Sequence, residues 1–162
     1  MKSATTDAAA IPTRLTSRVL DEGYGPGAWH GADFKAALAD VSPALAFQRP
    51  AAGRHNIAEI AIHHAFYVHS VRGRLLGTAI EPFVLEGEDW FVLDDASRMS
   101  WPEIQRVVAT QQERLVETAS GIANGRTTSP LSESERFDLV LGITCHAVYH
   151  AGQIQLIKVL CQ

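Results

Sequence analysis

Two histidines four residues apart, His146 and His150, stand near the middle of a segment that reads as helix on both sides. At 3.6 residues per turn, positions i and i+4 share one face with Cβ atoms about 5–6 Å apart, a span two imidazoles can close around one metal ion. Gln153 continues that face at i+3 from His150. The bland alternative is a pair of hydrogen-bonded or solvated imidazoles on a polar face. Ile143, Ala147 and Ile154 alongside favour the metal, because half-buried imidazoles need partners and a divalent ion satisfies both at once.

Two ligands make a weak site, so a third donor must come from another helix. His63 and His64, in the middle of an earlier helical stretch, are the candidates. Ile57, Ile60, His64, Val68, Val71 and Leu75 form an apolar stripe with 3–4 spacing, which favours His64. His63 lies about 100° away, on a stripe with Tyr67 and Arg74 that shares Ile60 and Val71. Spacing leaves both open. Glu59, one turn before His63, is either a carboxylate serving the second ring nitrogen of that histidine, or a base, or a surface residue. His55 reads as a helix-start residue, His69 as an outer-face one and His30 as an ordinary loop residue. Other chemistries lack their signatures. There is no G-x-S-x-G, Gly-rich phosphate loop, H-E-x-x-H or C-x-x-C, nor the paired Glu-x-x-His of di-iron bundles.

The elements that must position these residues are helical. Residues 1–10 read as a loose tail, and residues 11–162 as a single domain. Thr13 to Glu22 is a short helix carrying Leu15, Val19 and Leu20, stopped by Gly23-Tyr24-Gly25-Pro26-Gly27. Asp33 caps a second short helix, Phe34 to Val41, which Ser42-Pro43 bounds. The first long helix runs roughly from His55 to Leu76, with Gly77 as its C′ residue. Ser100-Trp101-Pro102-Glu103 is a capping box with proline in the first turn, opening a second long helix to about Ala123. Its inner face is Ile104, Val107, Val108, Gln111, Leu115, Thr118 and Ile122. A second box, Ser132 to Glu135, opens the third long helix, which reaches about Leu160. Its core positions are Phe137, Leu139, Val140, Ile143, Ala147, Ile154, Ile157 and Leu160. Between the first two long helices, residues 78–99 do not read as helix. Pro82 to Leu93 is either a brief hairpin around Glu86-Gly87-Glu88 or an ordered loop, and a connection of this length often covers a site. The sum is an all-α bundle.

Composition narrows the function. A chain of 162 residues that is 46% hydrophobic has enough material for one real core. Its net charge of -4, with no basic run, argues against nucleic acid and anionic lipid. No apolar run approaches the roughly 20 residues of a membrane span. The first ten residues have no apolar region of the signal-peptide kind. Cys145 and Cys161, about 24 Å apart along one helix, cannot bridge, and read as reduced, packed thiols of a cytoplasmic protein.

Two stretches resemble the DinB/YfiT-like superfamily of metalloenzymes. His55-Asn56-Ile57-Ala58-Glu59-Ile60-Ala61-Ile62-His63 is similar to the family's apolar helix start with a Glu and a His four residues later. His146-Ala147-Val148-Tyr149-His150-Ala151-Gly152-Gln153-Ile154 is similar to its more specific H-x-x-Y-H-x-G-Q-I pattern. Trp29-His30-Gly31 and the loop with Asp89-Trp90 also look like common members, so the likeness extends from about residue 14 onward. The resemblance implies a four-helix bundle holding a divalent metal, zinc or nickel first and iron or manganese next, through His63, His146 and His150. Here the Glu59 spacing selects His63, while the immediately following His64 is a departure that leaves a one-residue swap open. It further implies a homodimer, and either a metal-dependent hydrolase or a thiol-dependent S-transferase acting on a small molecule with a low-molecular-weight thiol. Some related families are maleylpyruvate isomerases. The competing reading is a non-catalytic helical binding or stress-response module with a structural or adventitious metal.

Overall fold

In the computed structural model, residues 10–161 are described. The tail expected at residues 1–10 therefore lies outside them, except for Ala10. Among the described residues there are six helices and no strand. We number them α1 (Ala10–Tyr24), α2 (Phe34–Ala39), α3 (Pro43–Phe47), α4 (Ile57–Leu76), α5 (Trp101–Ala123) and α6 (Glu133–Leu160). None is long and apolar enough to cross a membrane.

Local chemistry sets the helix ends. Side chains accept the otherwise orphaned N–H groups of the first turns: Asp33 from Ala36 at 2.8 Å, Ser42 from Leu45 at 3.2 Å and Asn56 from Glu59 at 2.8 Å. At α5 and α6 the reciprocal half of each capping box is present, Glu103 taking the Ser100 N–H at 2.8 Å and Glu135 the Ser132 N–H at 2.7 Å. Helix α4 stops at Gly77, whose φ of +65° is left-handed and whose missing Cβ would stand 2.2 Å from the Pro130 ring. Only glycine satisfies both conditions.

Helices α4 and α1 each pack against both α5 and α6, which closes a four-helix bundle, while α2 lies against α6 and α3 against α4. A Cβ at Gly23 would meet the Thr144 carbonyl at 2.8 Å, so the end of α1 rests on the backbone of α6. From Ile57 to Ala65, α4 is buried on every side. The core falls into two clusters. One gathers Phe34, Ile60, Ile62, Phe91, Leu93, Trp101, Ile104 and Ile154. The other gathers Leu20, Val68, Leu75, Leu115, Val140 and Ile143. On α4 and α6 the histidines sit at the end of the first cluster nearest the second, His63 and His64 beside Ala65, and His146 and His150 beside Ala147 and Ala151.

Several details differ from the sequence expectation. Ser42-Pro43 ends one helix and starts another, α3, because serine caps and proline suits a first turn equally well. Residues 78–99 form no hairpin. Their backbone is tied to α4 side chains instead, with Leu93 N–H donating to Glu59 at 3.0 Å and Leu93 O accepting from Asn56 at 2.7 Å. Phe137 and Leu160 are not core residues: they are 55% and 59% exposed, on a second apolar stripe of α6. Cys145 lies on that same open side rather than packed, and both cysteines are free. His69 is buried, against Phe83 and Gln111, and burial lowers its pKa while Gln111 opposes the shift. Glu59 is buried too, because Arg49, ten residues upstream, folds back to meet it.

Candidate metal centre

Three imidazoles converge between α4 and α6. His146 Nε2 lies 3.2 Å from His63 Nε2 and 3.1 Å from His150 Nε2, and ligand atoms of the three residues all fall within 4.8 Å of one another. Nitrogens each bound to one tetrahedral zinc stand about 3.3 Å apart, so the two contacts of His146 are already at ligand spacing. His63 and His150 are buried and His146 is half-buried.

The far ring nitrogens decide what the near ones can do. His63 Nδ1 lies 2.9 Å from the Asp89 carbonyl oxygen, which can only accept, so Nδ1 carries the proton and Nε2 keeps its lone pair. His150 Nδ1 donates to Gln153 Oε1 at 2.6 Å, and the same amide donates through Nε2 to the Tyr149 hydroxyl at 3.0 Å, which fixes its orientation. The His150 Nε2 lone pair is free as well. His146 Nδ1 meets His64 Nδ1 at 3.1 Å, and either ring can supply that proton. His64 is thus not in the triad but behind it. It is 1% exposed, its ring centroid is 4.2 Å from that of Phe34, and its Nε2 has no hydrogen-bond partner.

Electrostatics keep these rings neutral. Burial first, then the positive charge that His150 and His63 would add, pushes His146 down to about 3, against a modest pull from Asp89. Burial lowers His150 to about 4 even though its bond to Gln153 opposes this. Burial also lowers His63, with the Asp89 carbonyl and carboxylate opposing, and holds His64 well below its usual range. At neutral pH no ring need lose net charge before a cation can use it: Nε2 of His63 and His150 is unprotonated, and His146 offers Nε2 in the tautomer that carries its proton on Nδ1 toward His64.

Aromatic stacking sets the His63 plane. Trp90 lies parallel between two imidazoles, 3.8 Å from His63 and 3.6 Å from His55 by ring centroid. His55 Nδ1 is in turn 2.8 Å from Glu59, which also accepts from Arg49 and from Leu93 N–H. Glu59 therefore braces His63 through His55 and Trp90, and does not touch its ring nitrogen. Asp89, beside Trp90, adopts a left-handed φ of 64° that aspartate tolerates better than most residues. That conformation accompanies the bond from its carbonyl to His63, while its carboxylate accepts from Tyr67 at 3.0 Å.

Of the sequence candidates, His63, His146, His150 and Gln153 come together, His64 takes a supporting place, and His30 stays apart, bonded to the Glu22 carbonyl at 2.9 Å. Spacing gave no sign of Arg49, nor of the props that Asp89 and Trp90 supply. The signal for the latter two was their place in the long non-helical connection.

A four-helix bundle with three convergent histidines defines a class of candidate metalloproteins. The DinB superfamily model matches residues 28–154, most of the 162-residue chain, and the chain belongs to that superfamily. Comparison with curated proteins and with solved structures gave no match.

Proposed function

We propose that this protein is a metal-dependent enzyme in which His63, His146 and His150 hold a divalent ion, zinc or nickel first and iron or manganese next. The observation that carries the reading is the set of Nε2 lone pairs at 3.1–3.2 Å, two of them fixed as free by acceptors on the opposite nitrogen. With His146 Nδ1–H donating a hydrogen bond to His64 Nδ1, the His146 Nε2 lone pair would join those of His63 and His150 in holding such an ion. Three neutral imidazoles leave such an ion its full charge and open positions, and it supplies Lewis acidity that brings a water or thiol toward ionisation near neutral pH. The chain's own residues hold the protons: Nδ1 of His63 on Asp89, Nδ1 of His150 on Gln153, and the Tyr67 hydroxyl on the Asp89 carboxylate. The reaction class is activation of a protic nucleophile, as in a hydrolase or a thiol-dependent S-transferase acting on a small molecule. Two free cysteines suit a cytoplasmic setting.

We also place a second copy of the chain on α6. Phe137, Leu141, Tyr149, Leu156, Val159 and Leu160 are all exposed along one side of the 28-residue helix. Gly142 and Gly152 on that side leave open space where a Cβ would stand, so two such helices can approach closely. The face is self-matching and runs into the centre, since Tyr149 holds Gln153, which holds His150.

Metal analysis of tag-free protein tests the centre. Near-stoichiometric metal in the wild type and its loss in His63→Ala and His150→Ala are expected. Equal, sub-stoichiometric metal in all three would reject it. With the metalated protein, turnover across ester, amide and thiol-acceptor substrates separates the arms: turnover without added thiol marks a hydrolase, and turnover that requires it marks a transferase.

A further inference from the structure

We propose that the groove between the 78–99 connection and α5 binds a small organic anion, a carboxylate or phosphate oxyanion carried on an apolar body. The groove encloses about 440 Å³, inside the roughly 300–1,000 Å³ range of small-molecule sites. None of its lining residues belongs to the histidine centre, so the proposal stands apart from the metal reading.

Charge argues for the anion. Arg98, Arg106 and Arg114 line the groove against a single carboxylate, Glu103. One Glu103 oxygen is already committed to the Ser100 N–H and hydroxyl at the head of α5, at 2.8 and 2.5 Å. Arg114 shares Glu81 with Arg72, so one acid serves two guanidiniums. Arg98 donates to the neutral Val92 carbonyl at 3.0 Å. Three guanidiniums thus line the groove with one carboxylate, an excess of two positive charges in a chain whose net charge is -4. A guanidinium fork matches the paired oxygens of a carboxylate or phosphate.

The remaining walls describe the rest of the ligand. Val84, Met99 and Val107 present apolar surface, and Thr110 adds a hydroxyl. At the inner wall stands Gln111, 4% exposed, with His69 behind it.

Amide NMR of the full chain, titrated with benzoate, phenyl phosphate and inorganic phosphate, tests this. Saturable shifts are expected around Val84, Arg106 and Thr110 with benzoate, phenyl phosphate or both, and the pattern identifies the oxyanion. Inorganic phosphate should bind more weakly, because it has no apolar body. Arg106 is exposed, so Arg106→Gln should keep the wild-type melting temperature while weakening binding by about tenfold or more. Three outcomes would overturn the proposal: no saturable shift with any probe, shifts unchanged in Arg106→Gln, or shifts that gather on His63, His146 and His150. Inorganic phosphate binding as tightly as the organic probes would overturn the apolar part of it.

Discussion

His63 and His64 are neighbours in the chain and take different roles because their rings leave α4 about 100° apart. Periodicity puts His64 on the apolar stripe, and it is indeed fully buried. What periodicity could not supply is the rotation of α4 about its axis against α6, which decides which of the two faces His146 and His150. We expect His64→Leu to keep the fold but deprive His146 Nδ1 of its partner, lowering metal affinity about 10–100-fold with stoichiometry still reached in excess metal. His63→Ala should lose binding outright. Competition against a chromophoric chelator measures both, and retention by His63→Ala with loss in His64→Leu would reverse the roles. Glu59 is a second residue whose place depends on tertiary structure. Burial alone would raise its pKa, and the bonds from Arg49, Leu93 N–H and His55 outweigh this, so the net shift is downward from 4.5. A depressed carboxylate contributes stability that is present above pH 4.5 and lost as pH falls through its folded value. Glu59→Gln should therefore cost about 3 kcal/mol at neutral pH, in urea unfolding, with the gap to wild type narrowing below pH 4.5. A gap independent of pH would mean that packing, not charge, is what Glu59 supplies.

At the scale of elements, the parts that were legible are those written locally. The two S-x-x-E boxes and Gly77 mark real helix ends because capping acts within a turn. The 78–99 connection was legible as non-helical but not as a loop rather than a hairpin, since its hydrogen bonds go to Glu59, Asn56 and His63 on another element. Helix α6 shows the other limit. It is apolar on two sides, so a 3.6-period reading places the exposed Phe137 and Leu160 with the core stripe of Val140, Ile143 and Ile154. An uncovered apolar stripe along 28 residues is far more than a scatter of surface leucines. Sedimentation should find the wild type as a dimer and Leu141→Glu with Leu156→Glu as a folded monomer, because the two charges would be buried unpaired in the interface. A wild type that sediments as a monomer, or a double variant that stays dimeric, would remove α6 from that role.

For the molecule as a whole, the histidine layer sits at the edge of one hydrophobic cluster, toward the other. One cluster packs Ile60, Ile62 and Ile154, the other Val68, Leu75, Val140 and Ile143, and α4 and α6 pass through both. At that edge the two helices meet through imidazoles that burial keeps neutral, and His64 Nε2 has no partner. Such a layer contributes little cohesion of its own, because its polar groups are desolvated and weakly repaid. A cation shared by His63 of α4 and His146 and His150 of α6 would join the helices at that level. Binding to the folded state alone stabilises by about 2.7 kcal/mol at a hundred times the dissociation constant. For a chain of this length that corresponds to roughly 5–10 °C in melting temperature. Chelation should therefore lower the wild-type melting temperature by about that much, and restoring metal should return it. His146→Ala, which lacks the nitrogen common to both short contacts, should melt at the same temperature with and without chelator. If wild type and His146→Ala respond alike, the ion is not what joins α4 to α6, and the cohesion of this layer must come from the imidazole contacts and the Trp90 stack.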